Sequence, residues 1–298
     1  MPNAVLDQLI QAMRGSGLDF AAPPAEVRRK FDGLLATMPS PEGETFEATS
    51  LGGVPALECV TDAQGGTLLY FHGGGYIAGS AAGYRGLAAD IGRAAGLHTI
   101  SIDYRLAPEA PFPAALDDGV AAYRALLDRG VAPGSIAFAG DSAGGGLALS
   151  VLIRLRDGGL PLPAAALLLS PWLDLACAGG SMEGKAAADP SLSPEGLRAC
   201  AAHYLGATAA RDPLASPLYA DLSGLPPLMV QVGSSEVLLD DATRLAAAAG
   251  AAGTSVRLEI WPEMIHVWQS FAFMLPEGRE AVGNAAAFLS RQVGQNQD

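Results

Sequence analysis

Ser142 sits in Gly140-Asp141-Ser142-Ala143-Gly144-Gly145, directly after the apolar run Ile136-Ala137-Phe138-Ala139. A serine on a sharp strand-to-helix turn needs residues with almost no side chain two positions before and after it, and Gly140 and Gly144 meet that need. The hydroxyl then stands exposed at the carboxyl end of a strand. The N–H of Ala143 faces the start of a helix, where partial positive charge collects. The chemistry open to such a serine is attack on an acyl carbonyl, with a partner for the negative oxygen close by. The same spacing also suits a structural serine in a glycine-rich turn, so the remaining groups must decide.

A nucleophilic serine needs a base, and the chain has four histidines. His72 ends an apolar run beside glycines, His98 opens another, and His203 lies in a helical pattern. His266 follows the last apolar run, in Trp261-Pro262-Glu263-Met264-Ile265-His266. A triad running serine, acid, histidine along the chain selects His266 as base. The acid should then follow Val230-Gln231-Val232-Gly233, where Glu236, Asp240 and Asp241 are available. Glu236 is close enough to that run to remain in a loop. Asp240 and Asp241 fall where a helix cap and first turn are expected, so Glu236 is the expected acid and Asp240 the next candidate. Its task is to hold the imidazole tautomer and stabilise the imidazolium.

His72-Gly73-Gly74-Gly75 supplies the other half of the constellation. Consecutive glycines leave backbone N–H groups unshielded, and one donor aimed at a forming oxyanion is worth about 2.7–4 kcal/mol. Gly74, Gly75 and Ala143 are the expected donors. Gly73-x-Gly75-x-x-Ala78 also satisfies a permissive dinucleotide fingerprint, with Asp103 at the end of the next run, which would make an oxidoreductase. Against that, the glycines continue into Gly79-Ser80-Ala81-Ala82-Gly83, where the phosphate-binding helix should already have begun. Asp103-Tyr104-Arg105 reads as a brace near the glycine loop rather than as reacting groups. Tyr76 and Trp172 either line a pocket or pack.

These groups need a scaffold that gathers strand ends. Apolar runs at Thr67–Phe71, 97–104, 135–139, 164–170, 227–232 and 255–260 are short and nearly continuous, as buried parallel strands are. Helical patterns separate them, and the alternation implies a mostly parallel sheet with helices on both faces. Residues 44–62 read as two antiparallel strands about Gly52-Gly53. Leu6, Leu9, Ile10 and Met13, then residues 25–38, predict two N-terminal helices. The connection from Trp172 to Leu225 is far longer than one crossover needs and shows one clear helix, at 195–205. The expected organisation is a helical cap segment at 1–43 and a catalytic domain at 44–298, with a cap insertion at about 178–220.

Composition removes several classes of function. Eighteen basic against thirty-one acidic residues leave a net charge of −13 without a basic run, so nucleic acid and anionic membrane are poor partners. Cys59, Cys177 and Cys200 are an odd, scattered set that implies free thiols in a reducing compartment and no zinc site. Neither a signal peptide nor a membrane-spanning run is evident, so a soluble cytoplasmic protein is expected.

His72-Gly73-Gly74-Gly75, Asp103-Tyr104-Arg105-Leu106-Ala107-Pro108-Glu109, Gly140-Asp141-Ser142-Ala143-Gly144-Gly145, and the late Glu236 and His266 together resemble the bacterial hormone-sensitive-lipase-like esterases, a branch of the α/β-hydrolases. The likeness spans about residue 67 to the C-terminus. It implies an α/β-hydrolase fold and a carboxylic-ester hydrolase without metal or cofactor. The implied substrates are short to medium acyl esters, with small lactones also open, under a cap built from the N-terminus and an insertion. Family members often form homodimers through a sheet edge. The family usually carries aspartate in Asp-Pro-Leu at the acid position, where this chain has Glu236-Val237-Leu238. A receptor that binds without turnover would share the fold; loss of the serine or histidine would mark it, and both are present.

Overall fold

The computed structural model describes residues 3–63 and 65–294; residues 1 and 2 of the expected cap segment lie outside the described residues. Eight strands form one sheet: β1 (Thr45–Leu51), β2 (Val54–Val60), β3 (Thr67–Phe71), β4 (His98–Ile102), β5 (Ile136–Asp141), β6 (Ala165–Leu169), β7 (Leu228–Gly233) and β8 (Val256–Trp261). Their spatial order is β1-β2-β4-β3-β5-β6-β7-β8. β1 and β2 pair antiparallel across Gly52 and Gly53, both at positive φ, and β2 runs antiparallel to β4. Every pairing from β4 through β8 is parallel.

Side chains alternate between the two faces with the period of two that a strand imposes. Leu69 and Phe71 of β3 join Phe138 of β5 in one core cluster, and Leu68 and Tyr70 join Ala137 and Ala139 in the other. The helices are α1 (Ala4–Gly15), α2 (Pro24–Leu35), α3 (Arg85–Ala95), α4 (Ala114–Asp128), α5 (Ala143–Asp157), α6 (Gly180–Gly184), α7 (Pro194–Leu205), α8 (Leu239–Ala251) and α9 (Pro276–Gly294). Leu116 and Tyr123 of α4, the apolar residues of α5, and Leu245 of α8 fill the first cluster, while Ile91 of α3 and Leu289 of α9 fill the second.

α5 bears most directly on the site because it begins directly after Ser142. Its first turn holds Gly144, Gly145 and Gly146, each costing roughly 0.8–1.0 kcal/mol of helix propensity relative to alanine. Burial offsets that cost: Leu147, Leu149, Val151, Leu152 and Leu155 are fully buried, each contributing about 1.5–3 kcal/mol. The glycines are also sterically required. A Cβ on Gly144 would run into the Phe71 carbonyl, and one on Gly146 into the Trp172 carbonyl.

Three expectations change. The 255–260 run forms a strand but lies at the sheet margin with Ile260 46% exposed, because an apolar run does not reveal how many neighbours a strand has. The second N-terminal helix stops at Leu35 and the chain turns through Met38. The long connection after β6 also holds the short α6 besides α7.

α1, α2 and α7 line the space above the carboxyl ends of the parallel strands. Leu6 and Leu9 of α1 pack with Met264, Ile265 and Trp268, the segment that carries His266. Asn3 caps α1 by accepting from Leu6 N at 3.2 Å and donates to Glu277 at 2.9 Å, fixing that helix to α9. Arg28 of α2 donates to the carbonyls of Ile77 at 2.7 Å and Ala107 at 2.8 Å, and pairs with Glu109 at 2.6 Å. Tyr204 of α7 stacks on Tyr76 with ring centroids 3.8 Å apart. No helix among the described residues is long and apolar enough to cross a membrane.

Candidate active site

Ser142 occupies φ 53°, ψ −122°, a region a side chain rarely adopts and one that costs on the order of 1–3 kcal/mol. Three backbone bonds hold it there. Its N–H donates to Leu169 O at 2.8 Å, and its carbonyl accepts from Trp172 N at 2.9 Å and Gly146 N at 3.2 Å. Thus β6 and the chain just beyond it clamp the turn that β5 and α5 create.

The loop after β3 turns back on itself, with Gly74 O accepting from Ile77 N at 3.1 Å and Ala78 N at 3.0 Å. Gly74 at φ 119° and Gly75 at φ 62° need the freedom of glycine. Among the described residues the N–H groups of Gly74, Gly75 and Ala143 have no hydrogen-bond acceptor. Gly74 and Gly75 line the same cavity as Ser142 and His266, and Ala143 opens the first turn of α5 beside the serine. No helix begins until Arg85, so the 73–78 stretch lacks the phosphate-binding turn of a dinucleotide site.

His266 alone of the four histidines lines the cavity. His72 is buried, its Nδ1–H donates to Gly73 O at 2.8 Å, and its ring stacks on Tyr104 at 4.3 Å; burial lowers its pKa. His98 pairs with Glu58 at 2.7 Å away from the site. The Nδ1 of His266 bonds Glu236 Oε2 at 2.8 Å, and Glu236 is fully buried. The other oxygen, Oε1, accepts from the Ser170 hydroxyl at 2.7 Å and the Gly233 N–H at 2.6 Å. Burial, the largest single influence on His266, pulls its pKa down. The hydrogen bond and charge of Glu236, aided by Asp189 and Asp141, outweigh it, so the net shift is upward.

The other two carboxylates are engaged elsewhere. Asp240 accepts from Ser181 N at 2.8 Å and anchors the short α6. Asp241 accepts from the N–H groups of Leu173 and Asp174, and burial lifts it to about 7. Of the three candidates, Glu236 is the one bonded to His266.

Ser170 is the residue that motif spacing did not single out. Besides donating to Glu236, its Oγ accepts the Val267 N–H at 3.1 Å, so one hydroxyl joins the ends of β6, β7 and β8. Ser-Pro after an apolar run was its only mark in the sequence. Asp103 accepts from Ala81 N at 2.7 Å, Tyr104 donates to His72 O at 2.7 Å, and Arg105 pairs with Asp118 at 2.7 Å, the bracing arrangement expected of that motif.

The cavity has a volume of about 980 Å³ and is lined by Leu9, Phe20, Phe31, Leu35 and Phe271 together with Ser142, His266, Gly74 and Gly75. Cys200 also lines it, but burial pushes that thiol up to about 12, which leaves it a poor nucleophile.

A mostly parallel sheet, a strained serine after β5 and a histidine after β8 define an α/β hydrolase, and residues 68–270 match the family described as alpha/beta hydrolase fold. The chain is 53% identical over 232 residues to an acetyl-hydrolase of Streptomyces hygroscopicus, covering 78% of each protein. It is 36% identical over 269 residues to an esterase of Acinetobacter venetianus, covering 90% of this chain and 89% of that protein. A crystal structure of an esterase from the bacterial hormone-sensitive lipase family superposes with a TM-score of 0.95 at 46% identity, over 99% of this chain and all of that one. The chain belongs to this family of bacterial esterases, and it is an ester hydrolase.

Proposed function

We propose that the protein hydrolyses carboxylic esters of short to medium acyl chains, small lactones included, through Ser142, His266 and Glu236 by way of an acyl-enzyme. The observation that carries this reading is the 2.8 Å bond from a buried Glu236 to the imidazole of the one histidine sharing a cavity with Ser142. With Nδ1–H held by Glu236, Nε2 is the free lone pair and takes the serine proton. The alkoxide attacks the ester carbonyl, and the N–H groups of Gly74, Gly75 and Ala143 bind the resulting oxyanion. Collapse of that intermediate expels the alcohol with the proton from Nε2. Water, deprotonated by the same nitrogen, then releases the acid.

Glutamate does the work of the family's aspartate because its longer side chain is held at both oxygens, by Ser170 and Gly233 on one and His266 on the other. The described part of the N-terminal segment, residues 3–43, and about 178–220 form the cap over the site, and the name of the Streptomyces relative makes acetyl esters the first substrates to assay. Ser142→Ala is expected to abolish turnover of p-nitrophenyl butyrate while leaving the circular dichroism spectrum intact. Unchanged turnover in that variant would refute the nucleophile.

A further inference from the structure

We infer that Asp141 is the positioning residue of the oxyanion loop, holding Gly73 so that the amides of Gly74 and Gly75 stay aimed at the reacting carbonyl. The inference rests on the reading of those two amides as donors. Asp141 directly precedes the nucleophile, is fully buried, and does not line the cavity. Its Oδ1 accepts the Gly73 N–H at 2.9 Å and the Tyr70 hydroxyl at 2.8 Å. The strand end that carries Ser142 is thereby tied to the loop that faces it.

The contact is fitted from both sides. A Cβ on Gly73 would collide with the second carboxylate oxygen of Asp141 and come within 2.9 Å of the Tyr84 hydroxyl, so the glycine is bare where the carboxylate enters. His72, one residue earlier, is held separately by the Tyr104 hydroxyl on its carbonyl and by ring stacking. Beyond Gly73 come two glycines at positive φ, a backbone with many alternatives to lose. Fixing its first amide by an ionised acceptor restricts them most, because such bonds are roughly twice as strong as neutral ones. Burial lifts the Asp141 carboxyl to about 6 against the Tyr70 hydroxyl and the His266 charge, so it is ionised above neutral pH. A buried carboxylate that touches no substrate is costly to keep, and its bond to Gly73 gives it a task.

The test is steady-state kinetics on p-nitrophenyl butyrate for Asp141→Ala, Asp141→Asn, Gly73→Ala and the Asp141→Ala/Gly73→Ala pair, with Ser142→Ala alongside and Tm measured for each. Asp141→Ala is expected to lower kcat about a hundredfold with KM within about threefold, the pattern of a lost transition-state interaction. Asp141→Asn, whose amide oxygen still accepts from Gly73, should recover at least about tenfold of that loss. The paired variant should lose no more than the worse single one, since both act through one contact. A kcat within about threefold of the parent for Asp141→Ala, no rescue by asparagine, or losses that multiply would each overturn the inference. If Asp141→Ala does not fold, Gly73→Ala carries the test, and a folded Gly73→Ala with undiminished kcat overturns it. Undiminished turnover in Ser142→Ala would instead sink the functional reading itself, whatever the Asp141 variants show.

Discussion

Burial and ion pairing act on His266 in opposite directions, and the pairing wins, leaving the imidazole above its ordinary pKa of 6.5. A general base must be neutral to take a proton, so with His266 in its proposed role kcat/KM should fall as pH drops through that raised value. Glu236→Gln removes the charge of Glu236 and weakens its hydrogen bond while burial remains, so its acidic limb should move to lower pH while kcat/KM at pH 8 falls by at least about a hundredfold. Asp240→Asn should leave the limb in place; a pH–rate series on both variants checks this, and the reverse ranking would transfer the acid's role to Asp240. For stability the sign is opposite: the pairing adds stability that is fully present below pH 6.5 and lost as pH rises through the folded value. The pairing of Glu236 with His266 and the cavity His266 shares with Ser142 could be anticipated, because a proposed serine, acid and base are sought in a set order at strand ends. Ser170 could not, since its partners Glu236 and Val267 come from other strand ends and no local spacing records them.

Among the elements, the parallel strands could be read to within a residue or two, because an apolar run covered on both faces has one simple pattern. What that pattern omits is neighbours, hence the unforeseen edge exposure of β8. The N-terminal helices were visible only as amphipathic segments, and α2 is held by Arg28, which no helical period distinguishes. Its pair with Glu109 is solvent-exposed on the carboxylate side, so Glu109→Ala should cost less than about 1 kcal/mol. Arg28→Ala also leaves the carbonyls of Ile77 and Ala107 without their donor, at a cost of about 1–3 kcal/mol. Thermal unfolding of the two variants checks the order; equal losses would mean that the ion pair alone, and not the two carbonyl bonds, pins α2.

For the molecule as a whole, the decisive property is convergence. The ends of β3, β5, β6, β7 and β8 come from positions spread over some two hundred residues, and the parallel sheet delivers all of them to one rim. Sequence order predicted that strand ends would meet there, whereas the size of the cavity did not follow from it, because much of its wall comes from α1, α2 and α7, whose packing is tertiary. A mainly apolar cavity of about 980 Å³ with Ser142 and His266 in its lining fits the proposed substrates, esters whose bulk is hydrocarbon and whose reacting group is small. The most direct measurement of the central claim is peptide mapping by mass spectrometry after inactivation with a small fluorophosphonate. The account predicts one adduct per chain, on Ser142, forming in step with loss of esterase activity and greatly slowed in His266→Ala. Complete inactivation with the adduct on another residue, or with Ser142 unmodified, would contradict it.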